Sequence, residues 1–247
     1  MIMIRIIFFM FCSLLLNSQE SILNIGHRGA KGHIAENTIA SIHKAIELGA
    51  DGIEIDVFLC KSGEIVLFHD KTLEKLTNGE GNIEDKNLDE LRKLKVLNSP
   101  HSIPTLEEVL KSIDKDVFLN IELKGRNTAQ GSLDLIRKYI RKNKIELNNI
   151  LFSSFNWEEL KDLRSLSDKV QLALITEEDP LLAIDYALKL KAVAINPNYK
   201  DLNEQNIFNI NEKGLKIYTW TVNSKIEIDK LKTLNVNGII TDFPDRF

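Results

Sequence analysis

The chain has little cysteine, with Cys12 and Cys60 the only two in 247 residues. Cys12 lies inside an N-terminal apolar run, so removal of that run leaves Cys60 alone and no intrachain disulfide. Neither cysteine has the paired Cys/His spacing of a zinc site. A dominant charge of one sign is also lacking. With 32 basic and 36 acidic residues the net charge is −4, which excludes a broad nucleic-acid-binding surface. A small anionic substrate then needs a local positive pocket. No apolar stretch reaches the roughly 20 residues of a membrane-spanning helix. The first strand-to-helix turn, His27-Arg28-Gly29-Ala30, lacks the glycine spacing of a dinucleotide fold. There is no repeat at a fixed period and no low-complexity tract. What is present, at 43% apolar and 28% charged residues, suits one globular domain with a full core, and the length also admits two small ones.

At the N-terminus Arg5 precedes Ile6–Leu16, an apolar run broken only by Ser13, and polar Asn17-Ser18-Gln19-Glu20 follows. One positive charge, a short apolar core and a polar end predict a signal peptide over residues 1–18 and an exported, periplasmic or secreted protein. Leu16 is not the small residue expected two before a cleavage after Ser18, so an uncleaved anchor and a misplaced start site are alternatives. The globular domain is expected over residues 22–247.

Beyond the leader, β-rich apolar runs alternate with amphipathic segments. Strands are predicted at 22–25, 53–57, 117–123, 150–152, 170–175, 193–195, 215–220 and 238–241. Helices are predicted between them, at 36–48, from Pro104 onward, and at 129–142, 157–166, 181–191, 204–212 and 226–234. The second strand turns back at Lys61-Ser62-Gly63, and residues 71–103 form a mixed insertion with one helix at 88–95. Eight alternating units predict a (β/α)8 TIM barrel with a small insertion after the second strand. Only six residues follow the last strand, so its closing helix is truncated, and a partner subunit is one way to cover that rim.

Chemistry collects on the predicted C-terminal strand ends, where a barrel carries its active face. Glu54 and Asp56 share one face of a strand whose alternate residues are Ile53, Ile55 and Val57. Two adjacent buried carboxylates call for a positive charge between them, such as a divalent cation. On this stretch alone the other reading is a sheet edge with solvated acids. Glu122 on the next strand offers a third carboxylate, and three with water make a Ca2+ or Mg2+ shell. Arg28 and Lys124 bracket the set and suit phosphate. His27 and His69 suit a general acid and a general base. Together these groups describe phosphodiester cleavage. His33, His43 and His101 are expected to be solvated, Asn37 and Thr38 to cap the first helix, and Trp220 to pack either in the core or on the rim.

Ten motifs then run in order along the chain. They are His-Arg-Gly at 27–29, Glu-Asn-Thr at 36–38, Gly-Ala-Asp-Gly-Ile-Glu-Ile-Asp-Val at 49–57, His-Asp at 69–70 and Thr-Asn-Gly-Glu-Gly at 77–81. Ile-Pro-Thr-Leu-Glu-Glu-Val-Leu at 103–110, Asn-Ile-Glu-Leu-Lys at 120–124, Ser-Ser-Phe at 153–155, Trp-Thr-Val-Asn at 220–223 and Gly-Ile-Ile-Thr-Asp-Phe-Pro at 238–244 complete them. In these the chain resembles the glycerophosphodiester phosphodiesterase family over nearly all of residues 22–246. The resemblance implies a barrel that hydrolyses deacylated phospholipids to an alcohol and sn-glycerol 3-phosphate. It implies His27 and His69 as the acid–base pair and Glu54, Asp56 and Glu122 as ligands of Ca2+ or Mg2+. It further implies Arg28 and Lys124 at the phosphate, and Trp220 against the apolar side of glycerol or the head group. Where the family often has proline and threonine the chain has Ala35 and Cys60, neither of them an expected ligand. Only a small-molecule partner is expected, with no nucleic acid and no stable membrane span, in a monomer or small homo-oligomer. Lysophospholipase D or sphingomyelinase D chemistry is the nearest alternative, since it uses the same polar set with an apolar channel. A paired-carboxylate glycosidase leaves Arg28 and Lys124 without a role, and a non-catalytic binding protein leaves the histidine pair without one.

Overall fold

The computed structural model describes residues 21–247; the expected signal peptide at 1–18 lies outside the described residues. In chain order the elements are β1 (Leu23–His27), α1 (Ile39–Glu47), β2 (Gly52–Leu59), β3 (Ile65–Leu67), α2 (Leu88–Leu91), α3 (Leu106–Ser112), β4 (Phe118–Leu123) and α4 (Thr128–Arg141). Then come β5 (Ile150–Ser154), α5 (Trp157–Leu166), β6 (Gln171–Thr176), α6 (Ile184–Lys189), β7 (Ala194–Pro197), α7 (Glu204–Glu212), β8 (Lys216–Thr219), α8 (Lys225–Thr233) and β9 (Gly238–Thr241). All strands but β3 are parallel, and β1 pairs with both β9 and β2, so eight strands close a barrel, as the alternation predicts. The register sets His27 opposite Glu54, Asp56 opposite Glu122, and Glu122 opposite Ser153. β1 accompanies β2 only to Glu54; β3 then takes antiparallel pairing from Val57 onward and brings His69 back to the strand ends.

Strand alternation sorts the residues into two cores. Ile53, Ile55 and Val57 face outward into the layer under the helices, with Leu133, Ile136, Leu163 and Ile210. Inside the ring, Ile25, Phe118, Leu151, Ala173, Ala194, Tyr218 and Ile240 make an apolar floor. That floor needs glycine at two positions. A Cβ on Gly52 would stand 2.7 Å from the Phe118 carbonyl oxygen, and one on Gly238 would stand 2.7 Å from the Tyr218 ring. Gly52→Ala is therefore expected to destabilise the barrel by about 1–3 kcal/mol, the usual cost of overpacking. Urea denaturation checks this, and a midpoint at the wild-type value refutes it.

Three helices are shorter than their periodicity predicts. The first starts at Ile39 rather than Glu36, because Thr38 is its N-cap and Asn37 is left-handed, with φ 54°. Glu36 and Asn37 are thereby released for other work. The 88–95 segment is helical only over Leu88–Leu91, where Leu91 is the one buried residue. The 181–191 segment opens as a 3-10 turn at Pro180–Ala183, before α6.

The insertion has its own small core of Leu73, Leu76, Ile83, Leu91, Val96 and Ile103, packed on Phe58 and Phe68 of the hairpin. Ala35 packs against it and Cys60 is buried in it. After β9 the chain makes one 3-10 turn, Pro244–Arg246, instead of a closing helix. The Lys232 ammonium lies 3.5 Å from the centroid of the Phe247 ring, and Asn24 donates to the Pro244 carbonyl at 2.9 Å. Among the described residues no helix is long and apolar enough to cross a membrane.

Candidate active site

Above the apolar floor the inward positions turn polar. On β2, β4 and β1 these are Glu54 and Asp56, Asn120 and Glu122, and His27. Ligand oxygens of Glu54, Asp56 and Glu122 all lie within 4.8 Å of one another, and all three residues are buried. Two cations enter the cluster. The Arg28 Nε stands 3.2 Å from Asp56 Oδ2, and the Lys124 Nζ stands 3.0 Å from Glu122 Oε1 and 3.9 Å from Asp56 Oδ1. Arg28 itself has φ 51°, which aims its backbone N–H at Glu54 Oε2, 3.0 Å away. Its Nη1 donates to Glu36 at 2.5 Å.

Burial pushes the Glu54 carboxyl well above its usual range, helped by the charges of Asp56 and Glu122. Burial and Asp56 likewise raise Glu122, to about 7. Asp56 also meets a burial penalty, but Arg28, His69, Lys124 and the Asn37 hydrogen bond overcome it and hold the carboxyl below its usual range. Asn37 donates to Asp56 Oδ2 at 2.8 Å and accepts from the Asp56 N–H at 3.2 Å, so it fixes the carboxylate rather than capping a helix. With Glu36 included, which Lys31 also approaches at 3.7 Å, four carboxylates face three cations. The surplus of negative charge on an all-oxygen donor set fits a hard divalent ion.

The two imidazoles are mounted alike. His27 Nδ1 lies 2.6 Å from Asp242 Oδ1, and His69 Nδ1 lies 2.5 Å from Asp70 Oδ1. Both aspartates meet a burial penalty, and the imidazole hydrogen bond and charge, with Lys75 at Asp70 and Asn223 at Asp242, together more than offset it, so each stays ionised at neutral pH. An ionised carboxylate requires a proton on the facing Nδ1, which leaves each Nε2 bare. Arg28 Nε donates to His27 Nε2 at 3.2 Å, and Lys124 Nζ stands 3.3 Å from His69 Nε2. Burial lowers the pKa of both rings, and for both the cations add to it against the aspartates. Both rings are therefore neutral near pH 7.

A cavity of about 460 Å³ opens over this cluster. His27, Arg28, Glu54, His69, Glu122, Lys124 and Trp220 line it, so these expected site residues share one space, with Asp56 directly behind. Trp220 is on the rim: its indole N–H donates to the Asn196 carbonyl at 2.8 Å, and Phe155 meets it edge-on at 5.6 Å between centroids. Of the other histidines, exposed His33 pairs with Asp245 at 2.7 Å, outside the cavity lining. Sequence reasoning gave no role to Asp70, Asp242, Glu36 or Asn196. Asp70 adjoins His69 and Asp242 stands at a strand end, which were signals of a kind, but neither showed a hydrogen-bond partner.

Residues 27–246 match the model of the glycerophosphoryl diester phosphodiesterase family. The chain belongs to that family. It is 36% identical, over 231 residues, to a glycerophosphodiester phosphodiesterase of Caldanaerobacter subterraneus subsp. tengcongensis, a match spanning 90% of this chain and 95% of that one. A lysophospholipase D of Rattus norvegicus is 24% identical over 265 residues, 90% of this chain and 84% of that one. Among solved structures, an Oleispira antarctica phosphodiesterase in complex with the product sn-glycerol 3-phosphate superposes with a TM-score of 0.82. It is 28% identical, and the match covers 90% of this chain and 93% of that one. Membership of a phosphodiesterase family accounts for a cavity that holds two cations and two imidazoles around a carboxylate triad.

Proposed function

We propose that the protein hydrolyses glycerophosphodiesters to sn-glycerol 3-phosphate and an alcohol, with His27 and His69 as the acid–base pair. The observation that carries this reading is the paired mounting. Two neutral imidazoles, each backed by an aspartate, present bare Nε2 atoms beside cations in one cavity. Family membership and the product-bound relative support it. Glu54, Asp56 and Glu122 would hold Ca2+ or Mg2+, which when bound neutralises the phosphodiester and the charge that builds on it.

Arg28 and Lys124 orient the phosphoryl oxygens and offset their charge. One Nε2 takes the proton of the attacking hydroxyl, from water or from the glycerol 2-hydroxyl. The other ring first takes up a proton from solvent at its bare Nε2, an imidazolium steadied by its aspartate and by the anionic diester, and then gives that proton to the departing alkoxide. Trp220 covers the apolar side of the bound molecule.

The apolar lip formed by Trp220 and exposed Phe155 favours one second reading, lysophospholipase D activity, in which that lip meets an acyl chain. Glycerophosphocholine and lysophosphatidylcholine, assayed side by side with Ca2+ and with Mg2+, separate the two. Release of sn-glycerol 3-phosphate from the first, with the second at least about tenfold slower in kcat/KM, is the expected result. The reverse order favours the second reading, and no release from either with any divalent ion sinks both.

A further inference from the structure

The Asn196 side chain has 1% of its surface exposed, and among the described residues neither its Oδ1 nor its Nδ2 has a hydrogen-bond partner. Buried amides are generally satisfied. Asn24 also leaves its Oδ1 unpartnered, but its Nδ2 donates to the Gly49 and Pro244 carbonyls, so among the described residues Asn196 is the buried amide with neither atom paired. In the same barrel Asn120 Oδ1 accepts from Ser153 at 2.8 Å, and Asn223 donates to Asp242 at 2.7 Å. The position of Asn196 is fixed by alternation along β7. Ala194 lies in the interior floor and Ile195 packs under the helices, so Asn196 turns inward, where it lines the cavity. Counted around the closed ring, β7 is four strands from β2 in both directions. The unpartnered amide therefore stands across the barrel from Glu54 and Asp56. Its neighbours on that wall are Ile175 and Trp220, with Glu177 exposed beside them.

We propose that the Asn196 amide binds the free hydroxyls of the glycerol half of the substrate, which rests on the functional reading above. The donor and acceptor count selects this ligand. Oδ1 needs a donor and Nδ2 needs acceptors. A vicinal diol supplies both at once, giving one O–H to Oδ1 and receiving an N–H from Nδ2. A phosphate dianion satisfies only Nδ2, and a quaternary ammonium head group satisfies neither. With the phosphate held by Arg28 and Lys124 on the β1–β4 side, the diol reaches towards β7. Trp220, pinned by its hydrogen bond to the Asn196 carbonyl, closes the space beside it. Asn196 is then the residue by which the enzyme tells a glycerophosphodiester from a diester without hydroxyls.

Asn196→Leu keeps the branched heavy-atom shape and removes the amide. Its expected effect is a fall of about tenfold or more in the ratio of kcat/KM for glycerophosphocholine over bis(4-nitrophenyl) phosphate, carried by KM for the former. Thermal unfolding should show a midpoint at or above wild type, because a buried unpaired amide is gone. An equal loss on both substrates, or no loss on either, overturns the proposal. A binding measurement keeps it separable from the functional reading. By calorimetry, wild type should bind sn-glycerol 3-phosphate more tightly than inorganic phosphate, and Asn196→Leu should erase that preference. An unchanged preference in the variant overturns the role of Asn196 even if the enzyme is active. If wild type hydrolyses nothing yet the preference is lost in the variant, the functional reading fails and the diol site stands.

Discussion

Asp242→Asn is expected to lower kcat for glycerophosphocholine by about 10³-fold, close to the loss from His27→Ala and within the 10²–10⁴ range of general acid–base catalysis. Asp242→Ala should lose less, by about tenfold relative to Asp242→Asn. The ordering follows from the mounting of the carboxylate. Asn223 Oδ1 accepts from the Asp242 N–H at 2.9 Å and from Thr241 Oγ1 at 3.3 Å, which leaves its Nδ2 to donate to Asp242 Oδ2 at 2.7 Å. In Asp242→Asn that donor holds the new amide oxygen on its own side and turns the new NH2 towards His27 Nδ1. A donor facing Nδ1 forces the imidazole proton onto Nε2, the atom that must be bare to accept one. Alanine imposes no tautomer and leaves the ring free to choose. A merely structural role for Asp242 predicts the opposite order, since alanine removes both hydrogen bonds. Steady-state kinetics on the three variants, with thermal unfolding as a control for folding, decide the matter. Wild-type turnover in Asp242→Asn, or a worse enzyme from alanine than from asparagine, defeats the assignment.

That prediction was out of reach of the sequence, for a physical reason. His27 and Asp242 are 215 positions apart, and only the closure of β1 against β9 makes them neighbours. Glu54, Asp56 and Glu122 were legible because strand period and parallel register are local rules: residues two apart share a face, and successive strand ends share a rim. The barrel was legible for the same reason, since eight alternating units leave few ways to close. The pairings of Arg28 with Glu36 and of Asn37 with Asp56 were hidden by backbone conformation. Both Arg28 and Asn37 take positive φ, which apolar periodicity does not register, and the expected helix ran straight through Glu36 and Asn37. Asn196 was visible as a strand end but had no role, because lacking a partner is a property of the packed barrel.

Chelation should abolish turnover, and the affinity of the site for a divalent ion should fall steeply with acid below about pH 7. Glu122 is raised to about 7 and Glu54 lies well above its usual range. Both must be ionised to serve as oxygen ligands, so protons compete with the metal wherever the metal-free carboxyls are protonated. Each proton displaced weakens apparent affinity about tenfold per pH unit below the relevant pKa. With two such groups the loss between pH 7.5 and 5.5 should be on the order of 10²-fold or more. The sign for stability runs the other way in the metal-free protein. A carboxyl whose folded pKa is raised contributes stability that is complete below its unfolded pKa, and that is lost as pH rises through the folded value. Glu122 therefore withdraws stability from the apoprotein as pH climbs from the ordinary glutamate range to about 7. A saturating divalent ion restores it by binding the folded state. The increase in unfolding midpoint on adding Ca2+ or Mg2+ should thus be large at pH 8 and small at pH 5.5, and calorimetric binding at pH 6.5 should release protons to buffer. Glu122→Gln should weaken the affinity and remove the share of the pH dependence that Glu122 carries, leaving that of Glu54. A metal-induced shift in midpoint that is equal at both pH values, or full activity in excess EDTA, would refute a metal site at this triad.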